Sequence, residues 1–371
     1  MDAIWDPIFE QERAKLILSR IYKERRVPHA FLFTGANGVG KFFTALQFSK
    51  LLNGSSSNYE SESVIHKISL LQEPYVKLIL PLPRGKGESA EDSATEKLSK
   101  DVIESINEEI SAKIRNPYHK IKIDNANTIK INSIRDIRKF ITTSADECEY
   151  RIIIIIDAHL MNEAAQNAIL KNLEEPPEGI IFFFITSEIE KLLPTILSRC
   201  WHVNFDPLSS ESVSKILIDY FNFEAQLAQK VSLFSEGSPL AAIDLIDNQF
   251  ETILARTISV LRYSLAKRYH SAYKEISEFL KNSSDQSIEI LARMIKIWLS
   301  DVMKNKHSSF DYYFSDYIDT MNKFNSRYSG AEIGRIFQSL DNLERLQINN
   351  ANLNVVSLNL IFEIASLSIR K

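Results

Sequence analysis

The chain has 371 residues, 44% of them hydrophobic and 25% charged, which is typical of a globular protein with two or three domains. Its 44 Lys and Arg against 48 Asp and Glu give a formal charge of -4, so the whole chain offers no strong electrostatic attraction for nucleic acid. Its two cysteines, Cys148 and Cys200, are too few for a four-thiolate zinc site, so we expect no zinc. Because the chain has no apolar stretch of about 20 residues, we expect no membrane partner and a cytoplasmic location.

A glycine-rich segment at residues 35–42 reads Gly-Ala-Asn-Gly-Val-Gly-Lys-Phe. It follows an apolar, strand-like run at residues 30–34 and precedes a predicted helix at residues 43–52, the order found around a phosphate-binding loop. In such loops, successive backbone N–H groups and a lysine hold phosphate oxygens. We therefore expect nucleotide contacts from Gly35, Asn37, Gly38, Val39, Gly40 and Lys41.

The residue after the lysine departs from the GxxxxGK[ST] pattern. Phe42 stands where a Ser or Thr hydroxyl would ligate Mg²⁺, and a phenyl ring cannot do so. Thr44 lies roughly 200° further around the helix, so it does not replace that hydroxyl. The sequence predicts a degenerate site with no bound metal and weak or absent hydrolysis. Residual binding of ATP or ADP stays open, because Lys41 and the loop amides remain.

Residues 53 to about 116 interrupt this pattern and read as an insertion. Residues 54–57 and 84–100 are polar, a composition that favours disorder in part of the segment. Residues 75–83 are apolar and read as a strand, while residues 98–114 have helical spacing. We favour a tolerated surface excursion over a partner-binding role.

A second part of the nucleotide site is predicted at residues 151–157, Arg-Ile-Ile-Ile-Ile-Ile-Asp. An unbroken β-branched run is typical of a central parallel strand, and ligands bind at the carboxyl ends of such strands. Asp157 therefore stands where a Walker B aspartate would hold Mg²⁺ or its water. Ala158 occupies the usual position of a glutamate base, and we interpret His159 as structural rather than as a substitute base.

A helix is predicted at residues 163–174, with Asn162 as its N-cap and apolar residues four apart on one face. A buried strand is predicted at residues 180–185, and it leads to Thr186. Two interpretations of Thr186 are equally open: a sensor of the γ-phosphate, or a cap at the end of the strand.

Two segments carry a specific resemblance to a known family. Residues 161–177 and residues 192–200, the latter reading Leu-Leu-Pro-Thr-Ile-Leu-Ser-Arg-Cys, resemble bacterial DNA polymerase III clamp-loader subunits. The resemblance implies an AAA+ fold. In that family gamma/tau subunits hydrolyse ATP, whereas delta-prime subunits typically carry degraded nucleotide motifs, so Phe42 and Ala158 favour delta-prime. This chain lacks the family's zinc-binding cysteines, which removes a metal and leaves the fold assignment intact.

Ser198-Arg199-Cys200 resembles the family's SRC motif, whose arginine enters the ATP site of a neighbouring subunit. The resemblance implies that Arg199 is a catalytic arginine finger acting in trans. A guanidinium suits that role because it is always charged and presents planar, paired donors. From spacing alone, we would expect Arg199 to form an intramolecular salt bridge. The match to the SRC motif instead favours the role in trans.

The predicted fold class is α/β plus all-α. We expect an AAA+ nucleotide-binding domain with a parallel sheet at residues 1–207, including the insertion. A small helical lid domain follows at residues 208–250, and a helical collar domain for oligomerisation at residues 251–371. In the lid, Leu240 and Ala241 stand where active relatives place a sensor-2 arginine, which is a third sign of a poor nucleotide site.

The resemblance implies a largely non-hydrolysing, delta-prime-like ring member. Its expected partners are gamma/tau and delta subunits, the sliding clamp and, through the assembled ring, primed DNA. Two alternatives remain open: an ATP-hydrolysing gamma/tau-type subunit, and a non-catalytic AAA+ scaffold unrelated to replication.

Overall fold

The computed structural model describes residues 5, 6, 8–54, 60–89, 91–142, 148–281, 287–306, 312–348 and 352–368. Contacts divide the chain into two compact units. The first comprises residues up to 228 together with 236–240, and the second comprises residues 229–235 and those from 241 onward. The predicted class, α/β plus all-α, is confirmed, while the division into three domains stays a prediction.

The first unit alternates strands and helices. In chain order they are α1 (Glu12–Glu24), β1 (Ala30–Thr34), α2 (Lys41–Asn53), α3 (Glu60–Ser69), β2 (Val76–Ile79), α4 (Lys100–Arg115), α5 (Ile131–Thr142), β3 (Arg151–Ile155), α6 (Glu163–Glu174), β4 (Ile180–Thr186), α7 (Pro194–Leu197), β5 (Trp201–Asn204) and α8 (Ser210–Phe221). Two further helices, α9 (Ala225–Ser232) and α10 (Pro239–Asp247), contain residues of both units.

The strands form one parallel sheet in the order β2-β3-β4-β1-β5. All residues of β3 and β4 are buried, as expected for central strands covered on both faces. The sequence did not predict β5, because only Val203 of its four residues is buried and the strand has no apolar run.

Helices cover both faces of this sheet. On one face, Phe31 of β1 stacks on Phe183 of β4 with ring centroids 5.2 Å apart, and Phe48 of α2 packs edge-on against both rings. On the other face, Phe182 and Phe184 join a buried cluster with apolar residues of α5 and α6. Adjacent phenylalanines fill both layers because successive strand residues point to opposite faces.

Helix α6 has the predicted bounds, and its predicted cap is confirmed. The Asn162 side chain accepts a hydrogen bond from the backbone N–H of Ala165 at 2.8 Å. This bond satisfies one of the amides that the first turn of a helix leaves without a partner.

The segment predicted as an insertion contains β2 and α4, and β2 forms an edge of the sheet. Its polar part is held by side chains beyond the segment. Glu88 accepts from Lys130 at 2.7 Å and from Asn132 at 3.2 Å, and Asp136 accepts from the Ser93 hydroxyl at 2.8 Å. The composition of residues 84–100 favoured disorder, but in the described residues of this range these hydrogen bonds hold the backbone in a defined position.

The second unit is a set of packed helices: α11 (Phe250–Leu265), α12 (Tyr269–Lys281), α13 (Ser287–Lys306), α14 (Ile318–Arg327), α15 (Ile333–Ile348) and α16 (Leu353–Ser366). Trp298 of α13 is 1% exposed and packs edge-on against Phe324 of α14, with centroids 5.2 Å apart. Among the helices of the described ranges, none is both long enough and apolar enough to cross a membrane.

Gln166 connects α6 to the segment that leads into α7. Its side-chain amide donates to the carbonyls of Met161 and Lys191, both at 3.1 Å, and its carbonyl accepts from the Leu193 N–H at 2.8 Å. We expect Gln166→Ala to lower the free energy of unfolding of this unit by about 2–3 kcal/mol, because it leaves one buried and two partly buried backbone groups without their hydrogen-bond partner. Urea denaturation measures the change.

The matched control is Asn167→Ala, one position along the same helix and exposed. That substitution should change the free energy of unfolding by no more than about 0.5 kcal/mol. Equal effects of the two substitutions would contradict a linking role for Gln166.

Candidate functional site

The phosphate-binding loop lies between β1 and α2, at the carboxyl end of the sheet. Its three predicted glycines, Gly35, Gly38 and Gly40, have φ values of 137°, 80° and 96°. A Cβ atom at Gly35 would lie 2.3 Å from the backbone oxygen of Phe205. Both the backbone conformation and the available space therefore require glycine at residue 35.

Neighbouring segments hold Asn37 and Val39, two further predicted loop residues. The Asn37 carbonyl accepts from the Ser238 hydroxyl at 2.7 Å. Val39 is buried, and its carbonyl accepts from Gln11 at 3.4 Å. Gln11 also exchanges hydrogen bonds with the backbone of Asp206, at 2.8 and 3.0 Å, so the loop is tied to segments on both sides.

Lys41 is folded back onto its own loop. Its ammonium donates to the carbonyls of Gly35 at 2.5 Å and Ala36 at 2.6 Å. Only 6% of the residue is exposed. Burial lowers the pKa of Lys41 to about 8, and the nearby Asp157 carboxylate opposes that change.

Neither Phe42 nor Thr44 offers a metal ligand. Phe42 is buried, and its ring lies 4.7 Å below the ammonium of Lys113. Thr44 is also buried, and its hydroxyl donates to the Gly40 carbonyl at 2.9 Å. The structure therefore supports the inference that Thr44 does not replace the missing hydroxyl.

Asp157 lies two residues beyond β3, with φ of 50°, and lines the same pocket as Lys41 and Phe42. The parallel sheet thus brings the two predicted halves of the nucleotide site together. Ala158 is fully buried in the apolar cluster beneath α5 and α6. A methyl side chain there supplies no base to activate water.

Thr186 and His159 form a hydrogen-bonded group at the end of β4. The Thr186 hydroxyl lies 3.1 Å from His159 Nδ1 and accepts from the Glu188 N–H at 3.0 Å. His159 Nε2 is 3.3 Å from a Glu188 oxygen. Burial lowers the pKa of His159, and the Asp157 and Glu188 carboxylates oppose the change. These contacts fit a structural cap, and a sensor role for Thr186 stays a prediction.

Arg199 lies two residues after α7, and the pocket lining does not include it. Its guanidinium donates to the Thr195 carbonyl and to a Glu174 oxygen, both at 3.0 Å. The Arg199 side chain is 34% exposed and that of Glu174 is 52% exposed. The intramolecular salt bridge that spacing alone favoured is therefore present, at the surface, and the role of Arg199 in trans stays a prediction.

Sequence reasoning missed the contribution of residues 113–121 to this pocket, including Lys113 and Tyr118. The Lys113 ammonium donates to the carbonyls of Pro117 at 2.8 Å and His119 at 2.6 Å. Burial lowers the pKa of Lys113 to about 7; Asp157 opposes that change and Lys41 adds to it. The only sequence signal for Lys113 is indirect. Because Phe42 replaces the hydroxyl that would ligate Mg²⁺, a lysine ammonium can lie near this position without repulsion from a bound metal ion.

The pocket is small and poorly suited to a metal. Its volume is about 70 Å³, whereas ligand pockets usually span about 300–1,000 Å³. The loop glycines and Lys41 fit a phosphate group, but a phenyl ring and a second ammonium stand where Mg²⁺ would need oxygen ligands. Within the described ranges, no group of three or more His, Cys, Asp or Glu side chains is placed to hold a metal ion.

Comparisons with known proteins point to one family. The family model described as DNA polymerase III, delta subunit, matches residues 10–209, more than half of the chain. A DNA polymerase III subunit gamma of Buchnera aphidicola subsp. Schizaphis graminum is 32% identical over 133 residues, 34% of this chain and 37% of that protein. The tau subunit of Bacillus subtilis is 25% identical over 248 residues, 66% of this chain and 37% of that protein.

The chain thus spans 37% of the length of each of these two relatives. Among solved structures, a DNA polymerase III gamma subunit-related protein of Thermotoga maritima aligns with 97% of this chain and 100% of its own, at 16% identity and a TM-score of 0.45. The family match covers the sheet, the phosphate-binding loop and the SRC motif. The chain therefore belongs to the family described as DNA polymerase III, delta subunit, and is a clamp-loader AAA+ protein, as its motifs predicted.

Proposed function

We propose that this chain is a delta-prime-like subunit of a DNA polymerase III clamp loader. It would be a largely non-hydrolysing ring member that supplies Arg199 to the ATP site of a neighbour. Gamma/tau and delta subunits would be its ring partners, and the assembled ring would load the sliding clamp onto primed DNA.

One observation carries the non-hydrolysing part of the proposal: the Lys113 ammonium lies 4.7 Å above the ring of Phe42. A metal-dependent ATPase needs an oxygen ligand at residue 42 and room for Mg²⁺ beside Asp157. Here a phenyl ring and a second cation occupy that region, and Ala158 supplies no base. These features together support loss of hydrolysis.

The surroundings of Arg199 support its role in trans. Gln166 connects α6 to the segment that leads into α7, and Arg199 follows that short helix at the surface. The ion pair with Glu174 is exposed, and such pairs contribute only about 0–1 kcal/mol, so exchanging Glu174 for a phosphate costs little. The guanidinium keeps its charge in either setting.

A second candidate is an ATP-hydrolysing gamma/tau-type subunit. The observation that favours it is the similarity to gamma and tau subunits, at 32% and 25% identity over the matched regions. That similarity covers parts of the chain that both subunit types share, and it does not supply the missing hydroxyl at residue 42. We therefore rank it second.

Arg199→Ala should lower ATP turnover by a loader assembled from the chain and the gamma/tau and delta subunits of its source. The loss at the site that Arg199 completes should be on the order of 10³, because the guanidinium stabilises charge that develops on the γ-phosphoryl group. Steady-state turnover with clamp and primed DNA measures the effect.

The control for this experiment is Glu174→Ala, which breaks the same ion pair and leaves Arg199 in place. That variant should keep the turnover of the wild-type loader. If both substitutions lower turnover equally, the ion pair is structural and the role in trans is wrong.

The isolated chain should show no ATP turnover above that of its Lys41→Ala variant. Phe42→Ser alone should not restore activity, because Lys113 and Ala158 remain unchanged. A phosphate-release assay at saturating ATP and Mg²⁺ measures both. Turnover by the wild-type chain that disappears with Lys41→Ala would instead favour the gamma/tau-type candidate.

A further inference from the structure

The segment after α4 enters the nucleotide pocket of its own unit. Asn116, which follows the last residue of α4, fixes the turn: its side chain donates to the Tyr220 carbonyl at 2.9 Å and accepts from the Tyr118 N–H at 3.0 Å. Its own backbone N–H closes the helix on Ala112 at 2.8 Å. Lys113 and Tyr118 are thereby directed to the same side, toward the phosphate-binding loop.

Contacts within the chain account for all three N–H donors of Lys113. Two donate to the carbonyls of Pro117 and His119, and the ammonium also faces the ring of Phe42 at 4.7 Å. The residue is 8% exposed, so water does not compete for these donors. This is a built ammonium site, and Phe42, the residue that departs from the loop pattern, forms one wall of it.

Tyr118 fills the space beside the ammonium. It is 2% exposed and packs against three aromatic rings, with centroid distances of 4.9 Å to Tyr220, 6.0 Å to Phe43 and 6.3 Å to Phe9. The ring also approaches Gly40, where an added Cβ would lie 3.9 Å from it. The aromatic cluster therefore holds Tyr118 against the loop where α2 begins.

We infer that residues 113–119 are an internal plug that occupies the nucleotide pocket, with the Lys113 ammonium in place of a metal ion and Tyr118 in place of part of the nucleotide. The plug holds the loop closed without a ligand. The inference rests on the proposed non-hydrolysing role and adds a cause to it: nucleotide is excluded by the chain itself as well as by the missing hydroxyl. It also gives a role to the C-terminal end of the segment predicted as an insertion, residues 113–116.

Removing the Lys113 side chain would weaken nucleotide binding if its positive charge holds phosphate, and would strengthen it if its volume blocks the pocket. These opposite expectations provide the test. If Lys113 were a phosphate ligand, its removal would take a positive charge from the pocket and weaken binding of a polyphosphate. If Lys113 belongs to a plug, its removal opens the pocket, and the loop amides with Lys41 become available. We expect the second result.

The test is calorimetric titration of the isolated full chain with ADP, in EDTA and separately in Mg²⁺. Lys113→Ala should bind ADP at least about tenfold more tightly than the wild-type chain, and adding Lys41→Ala should abolish that gain. The matched control is Lys100→Ala, which removes the same charge from the exposed first turn of α4, about 20 Å away along the helix. It should bind as the wild type does.

Two results would overturn the plug. One is measurable ADP binding by the wild-type chain that Lys113→Ala weakens, which would make Lys113 a phosphate ligand. The other is a folded Lys113→Ala/Tyr118→Ala variant that still fails to bind ADP.

Amine labelling of the wild-type chain with acetic anhydride guards against misfolded variants. At about pH 10.5, where at least half of each amine is unprotonated, Lys113 should react at least about tenfold more slowly than Lys100, because its nitrogen is enclosed. Equal rates would overturn the plug without any substitution. Because the role of Arg199 is measured in the assembled loader and the plug in the isolated chain, either proposal can fail without the other.

Discussion

The parallel order β3-β4-β1 at the centre of the sheet is the constraint from which the other features follow. Parallel strands present their carboxyl ends at one edge, so the loop after β1, Asp157 after β3 and Thr186 at the end of β4 meet there. Burial on both faces maintains that order, since the large apolar side chains of these strands are removed from water in two layers. The two predicted halves of the nucleotide site therefore lie at one edge of the sheet.

At that edge, the buried ammonium groups of Lys41 and Lys113 and the partly buried carboxylate of Asp157 line one small pocket. A charged lysine away from water needs compensating partners, and Lys41 and Lys113 find them in backbone carbonyls, the Phe42 ring and Asp157. The lowered pKa values of both lysines indicate that the compensation is incomplete. A divalent metal would add two positive charges to the same space, so electrostatics oppose its binding in addition to the loss of the hydroxyl ligand.

Arg199 and Lys113 are cations in opposite settings. Lys113 is enclosed, and moving it would expose an aromatic wall and leave carbonyls without donors. Arg199 is partly exposed, and its pairing with Glu174 can be exchanged at small cost. The fold therefore fixes one cation inside the pocket and leaves the other at the surface, where its partner can be exchanged.

Local patterns were enough to predict a glycine-rich loop between β1 and α2, the strands β1, β3 and β4, the bounds and cap of α6, and the family, because each depends on residues close together in the chain. The ordering of residues 84–89 and 91–100 was not predictable in this way, since it depends on Glu88 and Ser93 meeting partners in and beside α5. Strand β5 has no apolar run and exists through its pairing with β1. The positions of Lys113 and Tyr118 beside the loop were also not predictable from local patterns. They depend on contacts with Phe42 and Tyr220, which are far away in the sequence.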